Sequence, residues 1–228
     1  MAKLTWDGTG ERIYETGVKN GVLWVADGNA VAWNGLTAVN ESPEGAEATA
    51  LYADNIKYLN LISAEDFGFT IEAYTYPEEY EACDGYFNPV KAAGSTAVTV
   101  GQQARKNFGF CYRTEVGNDT DGNTHGYKVH FAYGCTASPS SKDYGTINDS
   151  PEAITFSWEV KTTPVTFQDA EGTERSAATL TIDTAKMDAT EKAAFEAWLT
   201  AKVYDNAQKM PTIQEIITAA ETKAWPAA

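Results

Sequence analysis

The chain has 228 residues, 43% of them hydrophobic and 12% aromatic, enough to fill the core of one large domain or two small ones. Asp and Glu number 32 against 17 Lys and Arg, a formal net charge of −15, which argues against a protein that grips phosphate by counterion release. No apolar run approaches the roughly 18 residues of a membrane span, and residues 1–14 lack the basic and apolar regions of a signal peptide, so the expectation is a chain made and kept in the cytosol.

Taken in chain order, short strands are predicted at residues 21–25, 31–39, 50–52 and 56–62, separated by the turn formers Asp27-Gly28-Asn29 and Asp54-Asn55. Residues 67–76 (FGFTIEAYTY) set Phe67, Phe69, Ile71 and Ala73 against Gly68, Thr70, Glu72 and Tyr74, a period of two that marks a strand with one buried face. A short helix is predicted at 77–83, with Glu78 and Glu79 in its first turn. After a Gly-, Ala-, Ser- and Thr-rich connection at 84–103, residues 107–116 place Phe108, Phe110 and Tyr112 on one strand face, and 125–135 do the same with Tyr127, Val129, Phe131 and Tyr133. The intervening 117–124 (GNDTDGNT) is dense in turn residues and predicts a hairpin with a longish loop.

The strand predicted at 153–161 is the most regular. Ile154, Phe156, Trp158 and Val160 alternate with Thr155, Ser157, Glu159 and Lys161, so one face packs on a core and the other meets water or a solvated cavity. Residues 176–182 offer one more strand. Near Asp183 the pattern changes. Asp188 with Glu191 three positions on opens a helix at 190–204 whose apolar positions are Phe195, Trp198 and Leu199, and Thr212 with Glu215 opens a second carrying Ile213, Ile216, Ile217 and Ala220. Eight or nine strands without regular strand-helix alternation predict a mainly β, antiparallel sandwich or barrel over residues 1–185, with residues 186–228 as a helical C-terminal appendage.

Catalytic and metal motifs are weak. Asp7-Gly8-Thr9-Gly10 lacks the Asp-Thr-Gly order of an aspartic-protease loop and has no second copy. Asp119, Asp121 and Asn123 match the first positions of a calcium loop, but Thr124 stands where glycine is needed and His130 where a glutamate is needed. His125 and His130 are five apart on one strand, on opposite faces, which spoils them as joint ligands of one metal. Cys83, Cys111 and Cys135 are odd in number and widely spaced, so buried free thiols are expected rather than a disulfide framework. No catalytic, cofactor-binding or metal residue is assigned. One alternative stays open: Glu72 and Glu159, with six tryptophans as platforms, would suit a carbohydrate-binding or glycosidase-like sandwich.

The strings LTWDGTGERIYETGVKNGVLW (residues 4–24), AVAWNGLTAVNESPEGAEATALYADNIKYLNLISAEDFGFTIEAYTYPEEY (30–80), GQQARKNFGFCYRTEVGND (101–119) and NDSPEAITFSWEVKTTPV (148–165) resemble the major tail proteins of long-tailed, non-contractile bacteriophages and their prophage relatives. The resemblance spans most of residues 3–165 and weakens from about 167 onward. It implies the phage tail-tube fold, a β-sandwich with a short flanking helix, six copies of which close into a ring. Rings stack into a tube whose lumen holds the tape-measure protein and later passes double-stranded DNA. The partners it implies are further copies of the chain, the tape-measure protein, and the tail terminator and distal tail proteins, in a virion assembled in the host cytoplasm.

Under that resemblance the polar strand faces become candidates for the lumen wall: Glu72, Thr155, Ser157, Glu159 and Lys161. Residues 65–84 add seven acids, from Glu65 to Asp84, and no Lys or Arg, which suits a surface that must not hold DNA. Six copies would carry about −90 per ring. The long connection at 84–103 is expected to be an inter-subunit element, with Tyr86, Phe87, Val98 and Val100 needing cover that one subunit does not supply.

Overall fold

The computed structural model describes residues 4–45, 47–91, 97–147, 149 and 152–226. In order these form β1 (Ile13–Val25), β2 (Ala30–Trp33), β3 (Leu36–Glu41), β4 (Glu44–Gly45), β5 (Ala48–Ala53), β6 (Ile56–Ile62), β7 (Glu65–Asp66) and β8 (Gly68–Ala73). A 3₁₀ turn (Glu78–Ala82) follows, then β9 (Phe108–Asn118), β10 (Gly122–Ala137), β11 (Phe156–Lys161), β12 (Val165–Gln168), β13 (Glu174–Ala177) and β14 (Thr179–Asp183), and finally helices α1 (Ala189–Lys202) and α2 (Ile213–Glu221). The strand pairings are antiparallel, and the fold is mainly β, as the sequence predicts.

Eight strands form one sheet in the order β2-β1-β9-β10-β11-β8-β3, with β14 also on β10. That sheet folds over into two leaves because β10 serves both. Between Gly122 and Cys135 it pairs with β9, with Lys128–Ala132 also on β14, and its last residues, Thr136 and Ala137, pair with β11. The corner is at Gly134, where the β9–β10 register slips between Ala132 and Cys135. Gly134 has φ +58, and a Cβ there would lie 2.3 Å from the Thr163 carbonyl oxygen, so only glycine fits the turn.

Two cores result. Between the leaves lie Leu23, Trp33, Phe69, Ile71, Phe108, Phe110, Trp158 and Val160. On the far side of the first leaf, Val22, Trp24, Cys111, Val129 and Phe131 pack against Phe195, Trp198, Leu199, Ile213 and Ile216 of the helices. Both helices start as the sequence predicts: Asp188 accepts from the Thr190 and Glu191 amides, and Thr212 and Glu215 form a capping box. Phe195, Trp198, Leu199, Val203, Ile213, Ile216, Ala219 and Trp225 of the C-terminal segment thus share a core with the β-strands.

Several local expectations change. The first leaf is buried on both faces around β9, where a one-faced strand is predicted, because the helices cover the Gly109 and Cys111 side. Met210 sits so close to Gly109 that a Cβ would fall 2.1 Å from its sulfur. The 31–39 segment is two strands, broken at Gly35 with φ +77, and the short helix is a 3₁₀ turn. β11 begins at Phe156, so Thr155 precedes the strand, and Ile154, expected in the core, is 37% exposed.

Candidate functional site

The outer face of the second leaf is polar and open. In the β8–β11 register Ser157 lies opposite Glu72 and Glu159 opposite Thr70, while on the other side Ala38 and Asn40 of β3 oppose Glu72 and Thr70. Side chains alternate, so Asn40, Thr70, Glu72, Ser157, Glu159 and Lys161 share one face while Ile71, Trp158 and Val160 are buried on the other. Four of the five residues expected to line a lumen are therefore brought together; Thr155 stops one residue short of the strand.

The charges on this face are partly tied up. Asn40 donates to Glu72 Oε1 at 3.2 Å. Lys161 Nζ lies 3.2 Å from both Glu44 Oε2 and Glu159 Oε1. The hydrogen bond to Glu44, then that to Glu159, raises the Lys161 pKa, so the ammonium persists in a patch of three carboxylates. The seven acids of residues 65–84 do not act as one repellent surface. Asp84 is buried against Lys142 and Arg105, and Glu78 pairs with Lys91 at 3.4 Å.

The 84–103 connection is only partly self-covered. Phe87 and Val100 form an antiparallel bridge, with amide-to-carbonyl distances of 2.9 and 2.8 Å, yet both side chains and that of Val98 are exposed. Tyr86 is half-buried beneath the Lys142 ammonium. Residues 92–96 of the connection lie outside the described residues.

A feature the sequence reading missed is the ribbon of β5 and β6, which pair with each other as a separate two-stranded sheet. Leu51, Tyr52, Ile56, Tyr58, Leu59, Leu61 and Ile62 are between 38% and 72% exposed on it. Its turn is tight, with Asp54 and Asn55 both at positive φ, the geometry a two-residue hairpin requires. Both strands and their turn are predicted at 50–52, 54–55 and 56–62, and what was missed is that the ribbon lies uncovered; the available signal was in β6 itself. Leu59 and Leu61 fall on one face and Tyr58 and Ile62 on the other, so no face is polar.

The residues weighed for chemistry are dispersed. His130 stacks on Tyr112 at 4.6 Å and lies between Thr114 (2.9 Å) and Thr181 (3.2 Å), while His125 contacts Asn118 and Asp121 at the hairpin tip. Among the described residues no group of three or more His, Cys, Asp or Glu could hold a metal ion. The three cysteines are free and buried, and burial pushes the Cys83 thiol up to about 12. Glu72 and Glu159 share a face, but Trp24, Trp33, Trp158, Trp198 and Trp225 are all buried, so only the distant-in-sequence Trp6 presents its ring to solvent. None of the described helices is long and apolar enough to cross a membrane.

No family model matches the chain, and no curated protein matches it. Among solved structures, a chain of the anti-feeding prophage baseplate, solved by cryo-EM with six-fold symmetrisation, aligns at 7% identity and a TM-score of 0.33, covering 78% of this chain and 97% of that one. A chain of the sheath–tube complex of an extracellular contractile injection system, PVC, in the extended state, aligns at 9% identity and a TM-score of 0.29, covering 72% and 88%. Neither superposition is close enough to equate the folds.

Proposed function

We propose that the protein is a structural, non-catalytic virion component, the major tail-tube subunit of a long non-contractile phage tail, in which six copies close into a ring and rings stack around a lumen. The observation that carries this reading is the β5–β6 ribbon. A lone two-stranded hairpin is at best marginally stable in water, and one with seven large apolar side chains exposed calls for cover from another molecule. Of its fifteen residues only Asp54 and Lys57 are charged, in a chain of net charge −15, the composition of an interface rather than a solvated loop. The end strands β2 and β3 each pair with a single neighbour, so sheet edges remain for a cyclic contact between copies.

In this reading the outer face of the second leaf, with Glu72, Ser157, Glu159 and Lys161, lines the lumen. Short polar groups and excess carboxylate give DNA nothing to hold, where a basic wall would gain affinity at each phosphate. Phe87, Val98 and Val100 meet a neighbouring subunit. The tape-measure, terminator and distal tail proteins are the remaining partners, and the place of assembly is the host cytoplasm. The partition into residues 1–185 and 186–228 is one of sequence character, the helices serving as the outer cover of the first leaf.

Negative-stain electron microscopy of concentrated protein tests the reading. Stacked six-fold rings are expected from the intact chain, and folded monomers from a variant in which residues 48–62 are replaced by Asn-Gly. An intact chain that stays a monodisperse monomer and binds polysaccharide would instead establish the carbohydrate-binding alternative.

A further inference from the structure

Residues 138–155 join β10 to β11 without regular structure over their described part. One side chain anchors this connection. Lys142 Nζ lies 2.7 Å from Asp84 Oδ2, with only 12% of the Lys142 side chain and 5% of the Asp84 side chain exposed. Three rings close around the ammonium, with centroids at 4.6 Å for Tyr86, 5.3 Å for Tyr76 and 5.9 Å for Phe156. A cation within about 6 Å of a ring centroid is attracted by the ring's quadrupole, most strongly where water is excluded. The second Asp84 oxygen faces Arg105 at 3.7 Å, and that guanidinium donates to the Ala137 carbonyl at 3.0 Å.

Tyr86 makes this more than a bolt for one segment. Its backbone N–H donates to the Glu81 carbonyl at 2.8 Å, and its ring lies against Gly101, where a Cβ would come within 3.3 Å. The ring therefore touches both limbs of the 84–103 connection, which are further joined by the Phe87–Val100 bridge and by the Gln103 N–H donating to the Gly85 carbonyl at 3.0 Å. Beyond the anchor, Tyr144 is exposed on the same connection as Lys142.

We infer that Lys142 is a positioning residue, whose ammonium, clasped by Asp84, Tyr76, Tyr86 and Phe156, pins the 138–147 connection and both limbs of the 84–103 connection into one rigid surface. From that surface Phe87, Val98, Val100 and Tyr144 are presented to a second copy of the chain. The pinning stands on geometry alone; the second copy rests on the proposed self-assembly. Burial pulls the Lys142 pKa down, but the hydrogen bond and charge of Asp84 outweigh it and the net shift is upward, so the clasp holds a cation throughout the neutral range.

The test is hydrogen–deuterium exchange on dilute monomer, read beside near-UV circular dichroism and tube formation by light scattering. In Lys142→Met the Phe87 and Val100 amides are expected to exchange at least about tenfold faster, a change of about 1.4 kcal/mol. The Val129 and Phe131 amides should keep their protection, and Lys142→Arg should restore most of the slow exchange. If Lys142→Met does not fold, Asp84→Asn carries the same comparison. Equal acceleration across β10, or none at Phe87 and Val100, would overturn the pinning. Locally faster exchange with undiminished tube formation would overturn the presentation to a second copy. An intact chain that forms no tubes under any condition would sink the proposed function instead, while the exchange data would still decide the pinning.

Discussion

The β8–β11 pair and the β5–β6 ribbon are both short antiparallel strand pairs, yet they meet opposite environments. In the first, Ile71, Trp158 and Val160 are wholly buried and Phe69 nearly so, and the other face is Thr, Ser, Glu and Lys. In the second, apolar side chains occupy both faces and all of the large ones are exposed. A strand with one polar face is complete once its own domain covers the other. A ribbon without a polar face has to be covered twice, and among the described residues its large apolar side chains are exposed on both sides.

The contrast can be broken most severely from the covered side. Trp158→Ala should cost about 3–5 kcal/mol of unfolding free energy in urea titrations, because the inter-leaf core is closed by rings on every side and collapses poorly into the void. Gly134→Ala should follow at about 1–3 kcal/mol or more, since it forces a left-handed backbone position and drives a Cβ toward the Thr163 carbonyl, separating the leaves at their shared strand. Thr212→Ala should lose about 1 kcal/mol, read as a lower melting temperature, by removing the acceptor for the Glu215 amide in a helix that covers the first leaf.

Smaller effects sharpen the comparison from the uncovered side. Glu15 and Glu115 each lose some solvation, which raises their pKa, but Lys128 with Thr114 and His130 for the first, and Lys19 with Arg113 for the second, together outweigh it and hold both below the ordinary value of 4.5. Carboxyls lowered in the fold stabilise it above their unfolded pKa and cease to do so as pH falls through the folded one. Melting temperature should therefore fall below pH 4.5, and less so in Glu15→Gln. Paired substitution of Tyr58 and Leu61 by serine should change monomer stability by no more than about 0.5 kcal/mol, as surface changes do, while abolishing tubes in sedimentation.

Under the proposed tail-tube function, Glu159→Lys should leave stability nearly untouched and slow DNA ejection at low salt, the defect easing as screening shortens the reach of each charge to a Debye length of about 8 Å at physiological ionic strength. Loss of tubes without a salt-dependent ejection defect would place that face against a neighbouring subunit.

How much was legible differs by region. The β8 and β11 alternation, both helix caps and the β9–β10 hairpin can be read from local pattern, because each depends on side-chain period or on residues within one turn. The double burial of β9 could not. Gly109 and Cys111 between Phe108, Phe110 and Tyr112 are compatible with a bare or a covered face, and what covers them lies about a hundred residues away, in Met210 over Gly109 and in the helices α1 and α2 on either side of it. Asp84 reads as one more acid in an acidic stretch; that it is a buried counter-ion depends on Lys142, 58 residues on.

By itself, then, the sequence determined which faces of the strands are apolar, where the helices begin, and that the chain is strongly acidic, with 32 Asp and Glu against 17 Lys and Arg. Those properties reside in residue type and spacing. Only the tertiary structure decided that one sheet folds into two leaves at Gly134, that the helices close the first leaf, and that the β5–β6 ribbon is left without cover. Each of those depends on which distant segments meet, and contacts between distant segments are settled by packing the whole chain at once rather than by any local pattern.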